Sequence, residues 1–225
     1  MKIDLRLTLH YGLTIFLSAF LLFLLQLVTA KQILPWFGGS AVVWTTCMVF
    51  FQSVLLFGYF YSDWSIRRLA PKKQAMAHVV LLTSSLLLLP VMPDASWKPE
   101  GEENPVWRIL GLLAATIGLP YFLLSTTSPL IQAWFARSFP GRSPYRLFAL
   151  SNLASMLALL GYPLAIEPWI TTTLQAQTWS AGYAIFVALC GITAWYGLRI
   201  APADHNSRST PDCTSARPPP SAGMH

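Results

Sequence analysis

The sequence predicts an all-α, multi-pass membrane fold, with six transmembrane helices in residues 1–200 and a disordered cytoplasmic tail over 201–225. Three observations predict it. Only 11% of the 225 residues are charged and 54% are hydrophobic, whereas a soluble domain carries about 25% charged residues. Six apolar runs approach the roughly 20 residues a helix needs to cross about 30 Å of hydrocarbon with every backbone group paired internally. Finally, twelve of the fifteen Lys and Arg residues fall on alternate connections between these runs.

The first run, about 11–30 (YGLTIFLSAFLLFLLQLVTA), follows Lys2 and Arg6 and ends in the small-residue triplet Val28–Ala30. It exceeds the roughly 7–15 apolar residues of a signal-peptide core, so it is expected to be retained as a span. The second run covers about 41–61 and the third about 74–91. The fourth, about 109–135, contains Pro120 and Pro129 with LLSTTS between them. Each proline removes a backbone donor and disturbs the carbonyl four residues back, so this span is expected to be kinked or broken. Its hydroxyls at Ser125, Thr126, Thr127 and Ser128 either repair that damage locally or line a site. The fifth, about 147–166, carries Ser151 and Ser155, and Ala154 and Ala158, at four-residue spacing, two small-residue rows that let a neighbouring helix come close. The sixth covers about 179–198. From Ala201 the composition turns to Pro, Ser, Thr, Arg and Asp, which cannot bury a core.

With the N-terminus placed inside, the inward segments hold Lys2, Arg6, Arg67, Arg68, Lys72, Lys73, Arg137, Arg142, Arg146, Arg199, Arg208 and Arg217. The outward ones hold only Lys31, Lys98 and Arg108, with Asp94, Glu100, Glu102 and Glu103 in the loop after the third run. Basic residues near span ends stay in the cytoplasm during insertion, so both termini are expected inside. The stretch RRLAPKK, Arg67 to Lys73, is therefore a topology signal. The net charge of +6 calls for no nucleic-acid partner, and the lipid bilayer is the expected one. Cys47 and Cys190 fall in spans and Cys213 in the tail; His10, His78, His205 and His225 are scattered. No spacing fits a metal site, so no metal and no cofactor are expected.

Polar groups inside a bilayer are costly and so rarely idle. The candidate substrate-binding set is Lys31, Gln52, Ser125, Thr126, Thr127, Gln132, Asn152 and Glu167. No Asp or Glu sits at mid-span, and a buried acid or histidine on a pathway is not expected, which weighs against a proton-coupled carrier. Lys31 and Glu167 should both lie near the outer surface, where they could pair, among Trp36, Trp44 and Trp169 of an interfacial aromatic belt.

The stretches LPWFGGSAVVWTTCMVFFQSVLLFGYFYSDWSIRRLAPKKQAMAH, LPYFLLSTTSPLIQAWFAR and SPYRLFALSNLASMLALLGYPLAIEPW resemble the N-terminal membrane region of the fused major-facilitator/spermidine-synthase-like proteins of bacteria, over about Leu13 to Leu198. The resemblance implies a bacterial inner-membrane protein whose six spans match half of a major-facilitator bundle. It also implies, in complete members, further spans and a synthase-like aminopropyltransferase domain. The glycine-rich turn and acidic residues of that domain are not found here, so no enzymatic activity is expected. Gly58, Asp63, Arg67 and Arg68 resemble the major-facilitator loop signature that latches two helices at the cytoplasmic side, with Asp63 and Arg67 also spaced for an ordinary i,i+4 ion pair. The expected function is a transporter-like half bundle that binds or moves a small solute, completed by a second six-span half or by another copy of the chain. The alternative is a non-transporting membrane anchor or scaffold for a synthase-like domain supplied by another chain.

Overall fold

The computed structural model describes residues 2–99 and 104–200. The tail over 201–225 and the acidic residues Glu100, Glu102 and Glu103 lie outside the described residues. Among those described, the chain is helical throughout: α1 (Lys2–Phe37), α2 (Ala41–Arg68), α3 (Pro71–Ser85), α4 (Pro105–Leu113), α5 (Leu119–Ser138), α6 (Tyr145–Gly161) and α7 (Thr172–Ile200). The sequence sets most of these limits. The backbone turns after α1 at Gly38, whose φ of 75° lies in the left-handed region and whose N–H reaches Leu34 O at 2.9 Å. Ser40 then caps α2, its Oγ accepting the Val43 N–H at 3.4 Å. Pro71 opens α3 and Pro105, behind the Asn104 cap, opens α4.

The bundle has two ends fixed by side-chain contacts. At one, the Tyr11 hydroxyl meets Ser138 Oγ at 3.0 Å and Thr14 meets Thr193 at 2.9 Å. The start of α1 and the ends of α5 and α7 therefore sit together there. At the other, Lys31 meets Glu167 and Gln32 meets the Val91 carbonyl at 3.4 Å. α1 packs against α5, α6 and α7, and α5 also against α2 and α3, so α1 and α5 form the centre. Trp179 ties α7 to α1 by donating from Nε1 to Leu21 O at 2.9 Å, and stacks on Tyr183 at 5.2 Å. By contrast α2 and α6 turn large apolar side chains outward, among them Leu56, Phe57, Phe60, Leu157 and Leu160. Such faces suit lipid rather than water.

Among the described residues, five helical stretches are long and apolar enough to cross a membrane: Leu7–Phe37, Ala41–Arg68, Pro105–Ser138, Tyr145–Ile166 and Thr172–Arg199. The expected third span is the exception. Its α-helix has 15 residues, about 22 Å at 1.5 Å per residue, and continues as a 3₁₀ turn, Leu86–Leu88, and extended chain. This segment still runs from end to end of the bundle. Gln74 bonds Arg137 near one end, and the Val91 N–H reaches Ser180 Oγ at 3.4 Å near the other.

The fourth span is irregular where prolines were expected to disturb it, but not in the expected way. A π-helical turn, Ala114–Gly118, joins α4 to α5 just before Pro120, and Pro129 is carried inside an unbroken α5. A similar π turn, Tyr162–Ile166, closes α6 before Glu167.

Candidate functional site

A partly polar cavity of about 520 Å³ lies between α2 and α6 with α5 behind it. α2 contributes Tyr59, Asp63 and Ile66, α5 contributes Ser128, Pro129 and Gln132, and α6 contributes Phe148, Ser151, Asn152 and Ser155; Phe23 of α1 completes the wall. Helical spacing explains the grouping. Tyr59, Asp63 and Ile66 share one face of α2, while Phe148, Ser151, Asn152 and Ser155 share one face of α6. On α5, Pro129 stands one turn before Gln132 on the face turned to α6.

Two charges bear on this cavity and cancel. Asp63 Oδ1 accepts from Arg67 Nε at 2.9 Å, an exposed i,i+4 pair within α2. Asp63 and Arg67 are joined within one helix, as their i,i+4 spacing allowed, and Arg68 beside them is exposed. Gly58 lies against α5, where a Cβ would stand 2.9 Å from Ser125 Cβ. Polar capacity around the cavity is largely unspent. Among the described residues, the side chains of Tyr59, Ser128, Gln132, Ser151 and Asn152 have no hydrogen-bond partner, whereas Ser155 donates to Ser151 O at 3.0 Å.

Of the eight substrate-binding candidates, Gln132 and Asn152 reach this cavity and are brought together with Asp63. Gln52 is exposed on α2 and lies outside it. Ser125, Thr126 and Thr127 are buried within the bundle, their hydroxyls donating to Phe122 O at 2.7 Å and to Leu123 O at 2.8 and 2.7 Å. They do not line the α2/α6 cavity, and their bonds do not reach Ser125 O, the carbonyl Pro129 deprives of a partner. The carbonyls on either side of it are instead met from neighbouring helices, Leu124 O by Ser18 Oγ at 3.1 Å and Thr126 O by Ser62 Oγ at 3.0 Å. Those two serines clamp α1 and α2 onto α5.

Lys31 and Glu167 do pair, Nζ to Oε1 at 3.5 Å, and Lys31 also donates to Glu167 O at 3.3 Å. They sit at the opposite end from Asp63, beside a smaller cavity of about 240 Å³ walled by Pro35, Trp36 and Met92. Nearby, the Asp94 carboxyl is held below the usual carboxylate range because it accepts the Ser96 N–H. With side-chain exposures of 31% and 45%, the Lys31–Glu167 pair is a weak stabiliser. Glu167→Gln is expected to lower stability by less than about 1 kcal/mol, read as a shift in the thermal unfolding midpoint in detergent that vanishes in high salt.

The sequence reading missed His78. It is buried in α3, its Nε2 3.1 Å from Thr127 Oγ1. Because the Thr127 hydroxyl proton goes to Leu123 O, His78 Nε2 is the donor and Nδ1 is left as a buried acceptor without a partner. The expectation that no buried histidine sits within the spans is thus overturned, although His78 does not line the cavity. The signal was present: His78 is the one histidine inside the third apolar run. Tyr59, Phe23 and Phe148 were also missed, since an aromatic residue in an apolar run carries no mark separating a cavity wall from packing. Among the described residues, no three His, Cys, Asp or Glu side chains stand together as a metal site would need. Compared with protein-family models, curated proteins and solved structures, the chain finds no match.

Proposed function

We propose that the chain is an integral protein of the bacterial inner membrane whose six segments all cross, with both termini inside, and that it binds or moves a small solute through the α2/α6 cavity. The observation that carries this reading is the cavity itself. Five polar side chains without protein partners line it, on helices whose other faces are apolar. Polar groups kept unpaired at membrane depth need water or a solute to satisfy them. The passage of 71–91 from one end of the bundle to the other supports the sixth crossing. The positions of Arg67, Arg68, Lys72, Lys73, Arg137, Arg142, Arg146 and Arg199 at one end support the orientation. The resemblance to major-facilitator halves supports completion of the cavity by a second six-span half or another copy of the chain.

The test replaces Cys47, Cys190 and Cys213 by Ser, introduces Ser155→Cys, and exposes inverted membrane vesicles to a water-soluble maleimide. Ser155 suits the reporter because its hydroxyl is already spent on Ser151 O. Fast alkylation is expected. A thiol as inert as one on the lipid-facing positions of α6 would mean a dry groove and favour the anchor reading. Reporter fusions after Lys73 and after Glu103 check the threading separately, and are expected to read cytoplasmic and periplasmic respectively.

A further inference from the structure

We infer that the α2/α6 cavity takes an uncharged solute rich in hydroxyl groups, of about the size of a simple sugar or cyclic polyol, and turns away anions. The inference rests on the proposed solute-binding role. Charge is the first argument. Among the described residues no Lys, Arg or His lines the cavity, and the one carboxylate there, Asp63, is matched by Arg67 at 2.9 Å. An anion entering would surrender its hydration to a site with no cation free to replace it, and would face the Asp63 carboxylate.

The second argument is the kind of hydrogen bond on offer. Gln132 and Asn152 each present a carbonyl acceptor and an NH₂ with two donors, and the hydroxyls of Tyr59, Ser128 and Ser151 both donate and accept. An ammonium brings only donors and would leave the carboxamide N–H groups unmet. A carboxylate or phosphate brings only acceptors and would leave the carboxamide carbonyls unmet. A solute hydroxyl brings both, so a ring carrying several of them can satisfy the whole set, and buried polar groups left unpaired are what a site discriminates against most strongly. The third argument is shape. Phe23, Phe148 and Pro129 give the cavity apolar walls, which suit the carbon faces of such a ring. A volume of about 520 Å³ lies within the range of roughly 300–1,000 Å³ typical of small-molecule sites.

The Ser155→Cys chain, in inverted vesicles, tests this by protection. Glucose, sucrose and myo-inositol are the neutral probes, glucose 6-phosphate and gluconate the anions, and ethanolamine the cation. At least one neutral probe is expected to slow alkylation saturably, by about tenfold at ten times its half-protecting concentration, and the charged probes to leave the rate unchanged. Gln132→Leu and Asn152→Leu should each abolish protection, read as the ratio of each variant's own rates with and without the probe. Protection by gluconate or ethanolamine alone overturns the assignment of solute class and leaves the cavity a solute site. Fast alkylation with no protection by any neutral probe also overturns it. Slow alkylation in the absence of any probe overturns the solute-binding role itself.

Discussion

Gly58→Ala is expected to destabilise the protein by about 1–3 kcal/mol, the usual cost of forcing an extra methyl into a packed interface. The added Cβ would clash with Ser125 Oγ and stand 2.9 Å from Ser125 Cβ and 3.4 Å from the Phe122 carbonyl. The hydroxyl can rotate away, but a Cβ and a backbone oxygen cannot, so α2 and α5 must part. Parting strains the bond from Ser62 to Thr126 O, 3.0 Å long and one turn further along α2. It also shifts Tyr59, the cavity residue next to Gly58. Thermal unfolding of the purified protein in detergent reads the loss. Ser125→Gly removes the obstacle at a cost of about 1 kcal/mol for a glycine inside a helix. The pair Gly58→Ala with Ser125→Gly should therefore fall short of the summed single effects by roughly 1 kcal/mol or more. Strict additivity, or a Gly58→Ala protein as stable as the parent, would show that the two helices are not in this contact.

That contact illustrates what composition reveals and what it hides. Length and apolarity are properties of a stretch of sequence, so the five helices long and apolar enough to cross a membrane could be read directly. So could the start of the second at Ala41, which follows a Gly-Gly-Ser turn. The third run was misjudged in form because Gln74 to Val91 is apolar enough to span, yet apolarity does not distinguish α-helix from the 3₁₀ and extended chain of its last residues. Prolines marked the fourth span as irregular, but their position did not reveal that a π turn ahead of Pro120 would absorb the disturbance while Pro129 stayed in a continuous helix.

The candidate site was legible where a polar residue had no local use. Gln132 and Asn152 stood out in apolar runs and do line the cavity. Ser125, Thr126 and Thr127 stood out equally, but a short hydroxyl can satisfy itself on its own helix, and these three do. Gly58 was noticed for a motif and turned out to matter for space. Lys31 and Glu167 were expected at one depth because both end a span, but their pairing was not legible, since each long side chain could equally reach the surface by itself.

Gln74→Leu is expected to cost about 1–3 kcal/mol, the penalty for leaving a buried donor unmatched, and its effect should fall on the docking of α3. Gln74 Oε1 accepts at 3.0 Å from both Trp134 Nε1 and Arg137 Nη2, and with His78 to Thr127 one turn on it makes a polar seam between α3 and α5. The seam matters because α3 has only 15 helical residues and so less apolar surface than its neighbours with which to hold its place. Leucine adds apolar area there, but the Trp134 indole N–H, buried with its ring, then has no acceptor. Gln74→Glu provides the control, since a carboxylate accepts from the same two donors and is neutralised by Arg137. Because that carboxylate would be buried, its desolvation offsets part of the pairing with Arg137, and the loss should stay smaller than in Gln74→Leu. Proteolysis at the Arg67–Lys73 connection offers a local readout beside thermal unfolding: faster cleavage in Gln74→Leu but not in Gln74→Glu would locate the loss at α3. If Gln74→Leu matched the parent while Gln74→Glu fell below it, apolar packing alone would be holding α3, and the two 3.0 Å bonds would be incidental to its position.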